Sequence, residues 1–208
     1  MVKIAVFASG SGSNYEAIMR FFAENPDTRV EVALVVCDQP GAGVIQRAQS
    51  WGTPIVIVER RKFAGKRQFE EYILAQLQEH RIDFIALAGY MRLLGPTLLD
   101  QYPGRIINLH PSLLPSFPGI DAVGQALQAG VRVTGVTVHF VDRGMDTGPI
   151  IAQEAVKVAL GDTHASLSAR IHEVEHRLYP QIVHACAVGK IYLDGRRVCW
   201  KAEEGFKE

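Results

Sequence analysis

Short, nearly continuous apolar runs alternate with helical patterns through the first half of the chain. The apolar runs are those expected of parallel strands covered on both faces, and they lie at Lys3–Ala8, Glu31–Cys37, Pro54–Val58 and Phe84–Ala88. Helical patterns lie between them, at Tyr15–Ala23, at Val44–Trp51 and along the stripe of Phe69, Tyr72, Ile73, Leu77 and His80. This alternation predicts βαβ units, and therefore an α/β fold with an open, mostly parallel, doubly wound, Rossmann-like sheet.

The second half of the chain begins after Tyr102-Pro103-Gly104 with a strand at Arg105–Leu109. Strands at Val136–Val141 and Ile150–Val158 follow as a hairpin-like pair. A long amphipathic helix starts after Asp162, and Pro180 is expected to kink or divide it. A short hairpin is expected around Asp194-Gly195. Because no linker or repeat interrupts the pattern, we predict one domain over residues 1–208, with halves at 1–103 and 104–208.

Composition narrows the range of partners. The 208 residues carry 22 basic and 22 acidic side chains, which argues against a partner bound by neutralising many phosphates. Three cysteines without a C-x-x-C pair fit a reducing cytosol, and no apolar run approaches the ~18 residues of a membrane span. We therefore expect a cytoplasmic protein with small-molecule substrates and with neither nucleic acid nor membrane as a partner.

A glycine-rich stretch, Ser9-Gly10-Ser11-Gly12-Ser13-Asn14, follows the first strand and opens a helix. Backbone N–H groups in such a turn, together with the helix N-terminus, form an anion site. Tyr15 occupies the place of the third glycine of a dinucleotide fingerprint, and no Gly-Lys-Ser/Thr triplet supplies an ATP loop. A phosphomonoester site is the favoured interpretation, and a turn that needs glycine only for its backbone angles is the alternative.

Asn108 and His110 stand two residues apart on a predicted strand that Pro111 terminates, so their side chains leave the same face. An amide and an imidazole at the carboxyl end of a strand could donate two hydrogen bonds to one developing oxyanion. Asp146, in a glycine-rich loop, could approach them and hold the imidazole in one orientation. The three side chains without a serine or cysteine nucleophile indicate direct attack by a substrate amine or by water.

The segment His172-Glu173-Val174-Glu175-His176 matches the H-E-x-x-H pattern of zinc proteases. No third ligand is placed as in zincin patterns, and the segment lies on the last helix of an α/β chain. A polar helix face that flanks the cleft is the favoured interpretation, and we predict no metal.

Several motifs together resemble one family, the folate-dependent phosphoribosylglycinamide formyltransferases. They occur in order along essentially the whole chain: S-G-S-G-S-N at Ser9–Asn14, L-A-G-Y-M-R at Leu87–Arg92, I-N-L-H-P-S-L-L-P at Ile107–Pro115, T-V-H-F-V at Thr137–Val141, D-T-G-P at Asp146–Pro149 and E-H-R-L-Y-P at Glu175–Pro180. The resemblance implies the formyltransferase fold, with a phosphate-binding N-terminal half and a catalytic, folate-binding C-terminal half. It implies formyl transfer from 10-formyltetrahydrofolate, as co-substrate, to glycinamide ribonucleotide in de novo purine synthesis, and it allows a homodimer.

The resemblance also implies roles for individual residues. Asn108, His110 and Asp146 would be catalytic. The ribonucleotide would be held by Gly12, Ser13, Asn14, His172, Glu173, Val174 and Glu175. The folate would be bound by Lys66, Met91, Arg92, Leu93, Leu94, Asn108, Asp142, Arg143, Gly144, Met145 and Asp146. Asp121, which stands where some members have histidine, is assigned no role.

Three other functions use some of the same features. A 10-formyltetrahydrofolate hydrolase shares the chemistry with water as acceptor, but members of that type carry an additional N-terminal domain. A methionyl-tRNA formyltransferase would need an added C-terminal domain and a more basic surface. A non-catalytic module that binds a phosphate ligand would keep the glycine loop, with no reason for Asn108, His110 and Asp146 to occur together.

Overall fold

The computed structural model describes residues 1–201, which form an α/β architecture. In chain order the elements are β1 (Val2–Ala8), α1 (Ser13–Glu24), β2 (Val30–Cys37), α2 (Gly43–Trp51), β3 (Ile55–Ile57), α3 (Lys66–Glu79), β4 (Phe84–Leu87), α4 (Pro96–Leu99), β5 (Ile106–His110), α5 (Ala122–Gln128), β6 (Val133–Phe140), β7 (Ile150–Lys157), α6 (His164–Ala187), β8 (Ile191–Asp194) and β9 (Arg197–Trp200). No helix within this range combines the length and the apolar character needed to cross a membrane.

Seven strands form one sheet in the order β3-β2-β1-β4-β5-β6-β7. Strands β1 to β5 pair in parallel, whereas β6 is antiparallel to β5 and β7 is antiparallel to β6. The strand order reverses between β1 and β4, and in open α/β sheets such a switch point opens a crevice at the carboxyl ends of the strands. The predicted fold class and the predicted β6–β7 pair are confirmed.

Apolar layers cover both faces of the sheet. On one face, Tyr15 and Ile18 of α1 pack with Leu167 and Ile171 of α6 against alternate residues of the central strands. On the other face, α3 and α4 pack against the remaining strand residues through side chains that include Phe69, Ile73, Leu77 and Leu98. The central strands are buried on both sides, which explains why they read as continuous apolar runs.

The helix α6 contains Pro180, which was expected to kink or divide it. The helix runs without interruption over 24 residues, so of these two outcomes the division of the helix is wrong. Buried side chains on both sides of the proline hold the helix in place. Tyr179 is fully buried and donates a hydrogen bond to Leu87 O at 2.7 Å, and Ile182 and Val183 are in the core. This packing compensates for the backbone hydrogen bond that proline cannot make.

Two short helices were absent from the sequence interpretation because each has too few residues for a periodic stripe. These are α4 and α5, and both start at local signals: Pro96 follows the cap of α4, and the Asp121 side chain accepts from Gly124 N at 3.0 Å at the start of α5. The expected C-terminal hairpin is present as β8 and β9, which pair with each other in a separate two-stranded sheet.

Candidate active site

The glycine loop, Ser9–Asn14, leaves β1 at the switch point of the sheet and opens α1. Gly12 precedes α1 with φ of 77°, in the left-handed region that favours glycine. A Cβ atom at Gly12 would lie 2.7 Å from the Cα of Val44, so the position has no room for a side chain. No side chain caps α1, which leaves its first N–H groups to meet an anion. This geometry fits the anion site expected from the glycine spacing.

Asn14, at the end of this loop, meets two residues of α6, His172 and Glu175. Asn14 Nδ2 donates to Glu175 Oε2 at 2.9 Å, and His172 Nδ1 lies 2.8 Å from the same oxygen. The Glu175 side chain is buried, and its hydrogen bond raises the pKa of His172 above the ordinary 6.5, although partial burial of the imidazole opposes the shift. Within residues 1–201 the buried Asn14 Oδ1 has no hydrogen-bond partner. The arrangement therefore offers an amide oxygen and a hydrogen-bonded histidine–glutamate pair to a polar ligand at the glycine loop.

In the described part of the chain, the H-E-x-x-H segment His172–His176 does not form a metal site. The rings of His172 and His176 stack with centroids 6.0 Å apart, and the Nδ1 of His172 is already paired with Glu175. Glu173 is exposed, and Val174 packs against the apolar core. Among the described residues, no three His, Cys, Asp or Glu side chains are grouped so that they could hold a metal ion. The segment is a helix face beside the glycine loop.

The strand β5 carries the amide and the imidazole on one face, while Leu109 between them belongs to the apolar core on the other. Asn108 Nδ2 lies 3.2 Å from His139 Nε2, and His110 Nε2 lies 2.8 Å from the carbonyl oxygen of Phe117. His110 is 5% exposed. Because Nε2 already has a carbonyl partner, Nδ1 is the edge of the His110 ring that remains for a reacting group.

The turn after His110 is fixed by a side chain of β6. Thr137 Oγ1 accepts from Leu114 N at 3.0 Å and donates to Ser112 O at 2.7 Å. Gln153 on β7 also reaches Leu114 O, at 2.9 Å. These buried hydrogen bonds bring the chain back so that Phe117 O meets the His110 ring.

The aspartate loop, Asp142–Gly148, connects β6 to β7. It begins beside the amino end of β5, where Val141 N donates to Ile106 O at 3.0 Å, because β6 is antiparallel to β5. The loop then folds back over the face of β5. Asp146 Oδ2 lies 3.5 Å from His110 Nδ1, and its Oδ1 lies 3.5 Å from Asn108 Nδ2. The carboxylate thus reaches the face of the strand between the two side chains.

The surroundings of Asp146 favour its ionised form. Burial would raise the pKa of the carboxyl group, but the neighbouring His139, the N–H that Gly119 donates at 2.8 Å and the His110 ring outweigh that effect. The pKa of Asp146 is therefore held below its ordinary value of 3.8. A carboxylate that stays ionised can orient an imidazole and stabilise a positive charge on it.

His139 is a member of this cluster that the sequence interpretation did not include. It pairs across the sheet with Asn108, and its Nδ1 lies 2.8 Å from Phe140 O, which leaves Nε2 facing the Asn108 amide and Asp146. The available signal was the alternation on β6, where Thr137 and His139 place polar atoms on one face of an otherwise apolar strand. His139 orients the Asn108 amide.

The residues expected to bind folate lie in two groups. In the first, Lys66 Nζ is 3.8 Å from the buried Glu70 carboxylate, and Arg92 Nε donates to Asp38 at 2.5 Å. The side chains of Met91 and Leu93 are 73% and 55% exposed, whereas Leu94 is buried in the core. The segment thus exposes two large apolar side chains to solvent, while its Arg92 is paired with Asp38.

The second group is the aspartate loop, which side-chain contacts hold in place. Asp142 Oδ1 accepts from Gly144 N at 3.1 Å and from Thr147 Oγ1 at 2.7 Å. Arg143 pairs with Asp100 at 3.1 Å. Arg196, in the turn of the β8–β9 hairpin, lies 3.5 Å from Asp142 Oδ2 and donates to Thr147 O at 3.2 Å. Met145 is half-exposed next to Gly119.

Comparison with known proteins defines the class of this fold and site. A family model described as Formyl transferase matches residues 2–183, and the chain belongs to that family. A structure described as glycinamide ribonucleotide transformylase 1 from Symbiobacterium toebii is 42% identical and has a TM-score of 0.92, with 96% of this chain and 94% of that chain covered. The fold and the family expected from the sequence motifs are confirmed.

Individual relatives place the chain within the family. It is 55% identical to the phosphoribosylglycinamide formyltransferase of Bacillus subtilis (strain 168) over 184 residues, which are 88% of this chain and 93% of that protein. It is 38% identical to the human trifunctional purine biosynthetic protein adenosine-3 over 97% of its length, but it spans only 20% of that longer protein. Within the formyl transferase family, the chain belongs with the phosphoribosylglycinamide formyltransferases.

Proposed function

We propose that the protein transfers the formyl group of 10-formyltetrahydrofolate to the primary amine of glycinamide ribonucleotide, a step of purine synthesis. The observation that carries the proposal is the convergence of an amide, an imidazole and a carboxylate on one face of β5, with Asp146 3.5 Å from both Asn108 and His110. Relatives of similar length are named for this activity.

The reaction proceeds by direct attack. The amine nitrogen forms a bond to the formyl carbon, and the carbonyl oxygen becomes an oxyanion in a tetrahedral intermediate. The bond from that carbon to the folate nitrogen then breaks, and the proton lost by the amine goes to the departing nitrogen. No covalent enzyme intermediate is needed, because holding both substrates in contact supplies much of the acceleration.

Each of the three side chains has a distinct task. The Nδ1 edge of His110 and the Nδ2 group of Asn108 donate hydrogen bonds to the oxyanion, since both point to the space that Asp146 borders. Asp146 orients the imidazole, and either this carboxylate or a bound water carries the proton between the two nitrogens. Oxyanion donors of this kind typically contribute ~10²–10³ to turnover.

The substrates bind on the two sides of this cluster. The ribonucleotide phosphate lies on Gly12, Ser13 and Asn14, and its ribose end meets the α6 segment His172, Glu173, Val174 and Glu175. The folate lies along Met91, Arg92, Leu93 and Leu94, with Lys66 and the aspartate loop as the outer walls. The exposed Met91 and Leu93 provide apolar surface for a ring system.

The proposal includes three properties of the whole protein. Residues 1–208 form one domain, whose N-terminal half binds phosphate and whose C-terminal half carries the catalytic groups and binds folate. A cytoplasmic location and a reducing environment suit its three free cysteines, Cys37, Cys186 and Cys199. A homodimer is compatible with this architecture, and sedimentation of the purified protein tests it.

The function is tested by mixing purified protein with 10-formyltetrahydrofolate, with and without glycinamide ribonucleotide. We expect formylglycinamide ribonucleotide to appear only when both substrates are present, with tetrahydrofolate formed in equal amount. Formate release that is independent of the ribonucleotide would instead identify a hydrolase. Binding of the ribonucleotide without turnover would identify a phosphate-binding module.

A further inference from the structure

A polar network around the buried Asp38 carboxylate joins the ends of three strands at the switch point of the sheet. Ser9, at the start of the glycine loop, donates from Oγ to Asp38 Oδ1 at 2.6 Å. The same hydroxyl oxygen accepts from Met91 N at 2.9 Å, after β4. The other carboxylate oxygen of Asp38, which follows β2, accepts from Arg92 Nε at 2.5 Å. One carboxylate therefore connects the glycine loop with the segment Met91–Leu94.

Because Asp38 is buried, its carboxylate needs hydrogen-bond partners from the protein. The residue is 3% exposed, so its carboxylate depends on hydrogen bonds from Ser9, Gln39 and Arg92 for the interactions that water would otherwise provide. Arg92 also lies over the Phe69 ring, with its Cζ 5.8 Å from the ring centroid. A charged pair with one buried member has few alternative arrangements, because moving either partner leaves a charge without compensation.

The segment Met91–Leu94 is anchored at both ends. At its beginning are the contacts of Met91 N and Arg92 with Ser9 and Asp38. At its end, Gly95 N donates to the buried Glu70 carboxylate at 2.6 Å. Between these anchors the side chains of Met91 and Leu93 project into solvent. The anchors thus hold an apolar surface in a fixed place.

We infer that Asp38 and Ser9 are positioning residues for the folate side of the site. They hold Met91–Leu94 where its exposed apolar side chains meet the pterin ring, and neither of them needs to touch a substrate. The inference rests on the proposed function, since it takes this segment as the folate surface. The glycine loop is also held by Val44 N, which donates to Gly10 O at 3.1 Å, so loss of the network should weaken folate binding and leave ribonucleotide binding nearly unchanged.

Steady-state kinetics of Asp38→Asn, with each substrate varied in turn, test the inference. The KM for 10-formyltetrahydrofolate should rise about tenfold, which corresponds to about 1.4 kcal/mol of binding, because the apolar surface is no longer held in place. The KM for glycinamide ribonucleotide and kcat should stay within about twofold of the unaltered protein. Ser9→Ala should shift the folate KM in the same direction by about threefold, the size of one hydrogen bond.

One further variant shows whether loss of any carboxylate produces the same effect. Asp83→Asn removes an exposed carboxylate that accepts a backbone N–H from Lys3 at 2.9 Å and has no assigned role, so both KM values should stay unchanged.

Equal rises in both KM values, or an unchanged folate KM in Asp38→Asn and Ser9→Ala, would overturn the inference. If Asp38→Asn does not fold at the assay temperature, the two KM values of Ser9→Ala test the inference: a rise in the folate KM alone supports it, and equal rises or no change overturn it. Absence of transfer by the unaltered protein would contradict the proposed function, and the inference with it. Normal transfer by the unaltered protein with no effect in the variants would contradict the inference alone.

Discussion

The two loops that border the candidate site, the glycine loop and the aspartate loop, are held in place by different means. The glycine loop is fixed by backbone packing, since Gly12 lies against the Val44 backbone and Val44 N donates to Gly10 O at 3.1 Å. The aspartate loop is tied mainly by exposed side chains, through the pairs of Asp142 with Arg196 and of Arg143 with Asp100. Surface ion pairs contribute little each, ~0–1 kcal/mol.

The difference in how the two loops are held matches their expected tasks: the glycine loop binds a substrate, and the aspartate loop takes part in the chemical step. A loop fixed by its backbone can present N–H groups to a phosphate without adjustment when the ligand binds. A loop held by weak exposed pairs can shift while the substrates enter, and it carries Asp146, the group that must meet the imidazole. We therefore expect changes in the glycine loop to affect one KM strongly, and changes in the side-chain ties of the aspartate loop to have small effects on kcat.

The largest effect is expected at Asp146. Asp146→Asn keeps the size of the side chain but removes the charge that orients His110, so kcat should fall on the order of 10²-fold or more. In the unaltered protein the pKa of Asp146 lies below 3.8, so the carboxylate stays ionised at every pH above that value and is lost only in stronger acid. Initial rates with both substrates saturating measure the effect.

The matched control is Asp121→Asn. Asp121 is also paired with a histidine, His164 Nε2 at 2.9 Å, but this pair is exposed and lies at the start of α5. Asparagine serves equally well as a helix cap. A kcat within about twofold of the unaltered protein is expected. A similar loss of kcat in both variants would mean that Asp146 has no special part in the reaction.

The next largest effect is expected at Gly12 in the glycine loop. Gly12→Ala places a Cβ 2.7 Å from the Val44 backbone, so the loop must move and the phosphate site with it. The KM for glycinamide ribonucleotide should rise about tenfold, which corresponds to about 1.4 kcal/mol of binding, while the folate KM stays nearly constant.

Gly41→Ala is the control for this variant. Gly41 has φ of 84° but nothing within 4 Å of its Cβ position, so it shares the backbone strain without the contact. It should lower the melting temperature slightly and leave both KM values unchanged. An equal rise of the ribonucleotide KM in both variants would show that strain, not contact, is responsible.

A smaller effect, on stability and dependent on pH, is expected at His172 of α6, which lies beside the glycine loop. The pKa of His172 is raised by its hydrogen bond to Glu175, so this contribution to stability is fully present below about pH 6.5 and is lost as pH rises through the raised pKa. His172→Gln should therefore have a lower melting temperature than the unaltered protein at pH 6, and the difference should vanish at high pH. Glu175→Gln should remove the same pH-dependent contribution. A difference that is constant with pH would contradict the pairing.

The smallest effect is expected at Arg196, which ties the C-terminal hairpin to the aspartate loop. Arg196→Ala should lower kcat by about two- to fivefold, the range that an exposed pair and one hydrogen bond supply. The neighbouring Arg197→Ala, on the same hairpin, should leave kcat unchanged. Rising salt should weaken the ion pair of the unaltered protein and so narrow the difference. A difference that does not depend on salt would show that the ion pair is not its source.

The sheet, the glycine loop and the pair of Asn108 and His110 could be predicted because their signals are local, whereas the expected folate-binding residues and His172–Glu175 on α6 entered only through the family motifs. Buried parallel strands produce continuous apolar runs, and the glycine spacing marks the turn after β1. The pairing of Asn108 and His110 follows from their separation by two on one strand. The convergence of Asn14 with Glu175, 161 residues apart, could not be obtained from spacing, and it entered only through the family motifs.

The features that were missed depend on tertiary contacts. His139 joins the cluster because β6 pairs with β5 in a register that sets it opposite Asn108, and no local pattern specifies that register. The continuity of α6 through Pro180 depends on buried neighbours on both sides of the proline. The part played by Asp38 required the strand order, since it follows β2 while its partners follow β1 and β4.

The central claim, that the face of β5 performs the chemical step, is tested most directly by a single-turnover experiment. Enzyme in excess is loaded with glycinamide ribonucleotide and mixed with 10-formyltetrahydrofolate, and formyl transfer is followed in the unaltered protein, in Asn108→Ala and in His110→Ala. We predict transfer rates lower by ~10²–10³ in both variants, with dissociation constants of the ribonucleotide and unfolding temperatures close to those of the unaltered protein. Transfer at a near-normal rate in either well-folded variant would contradict the account.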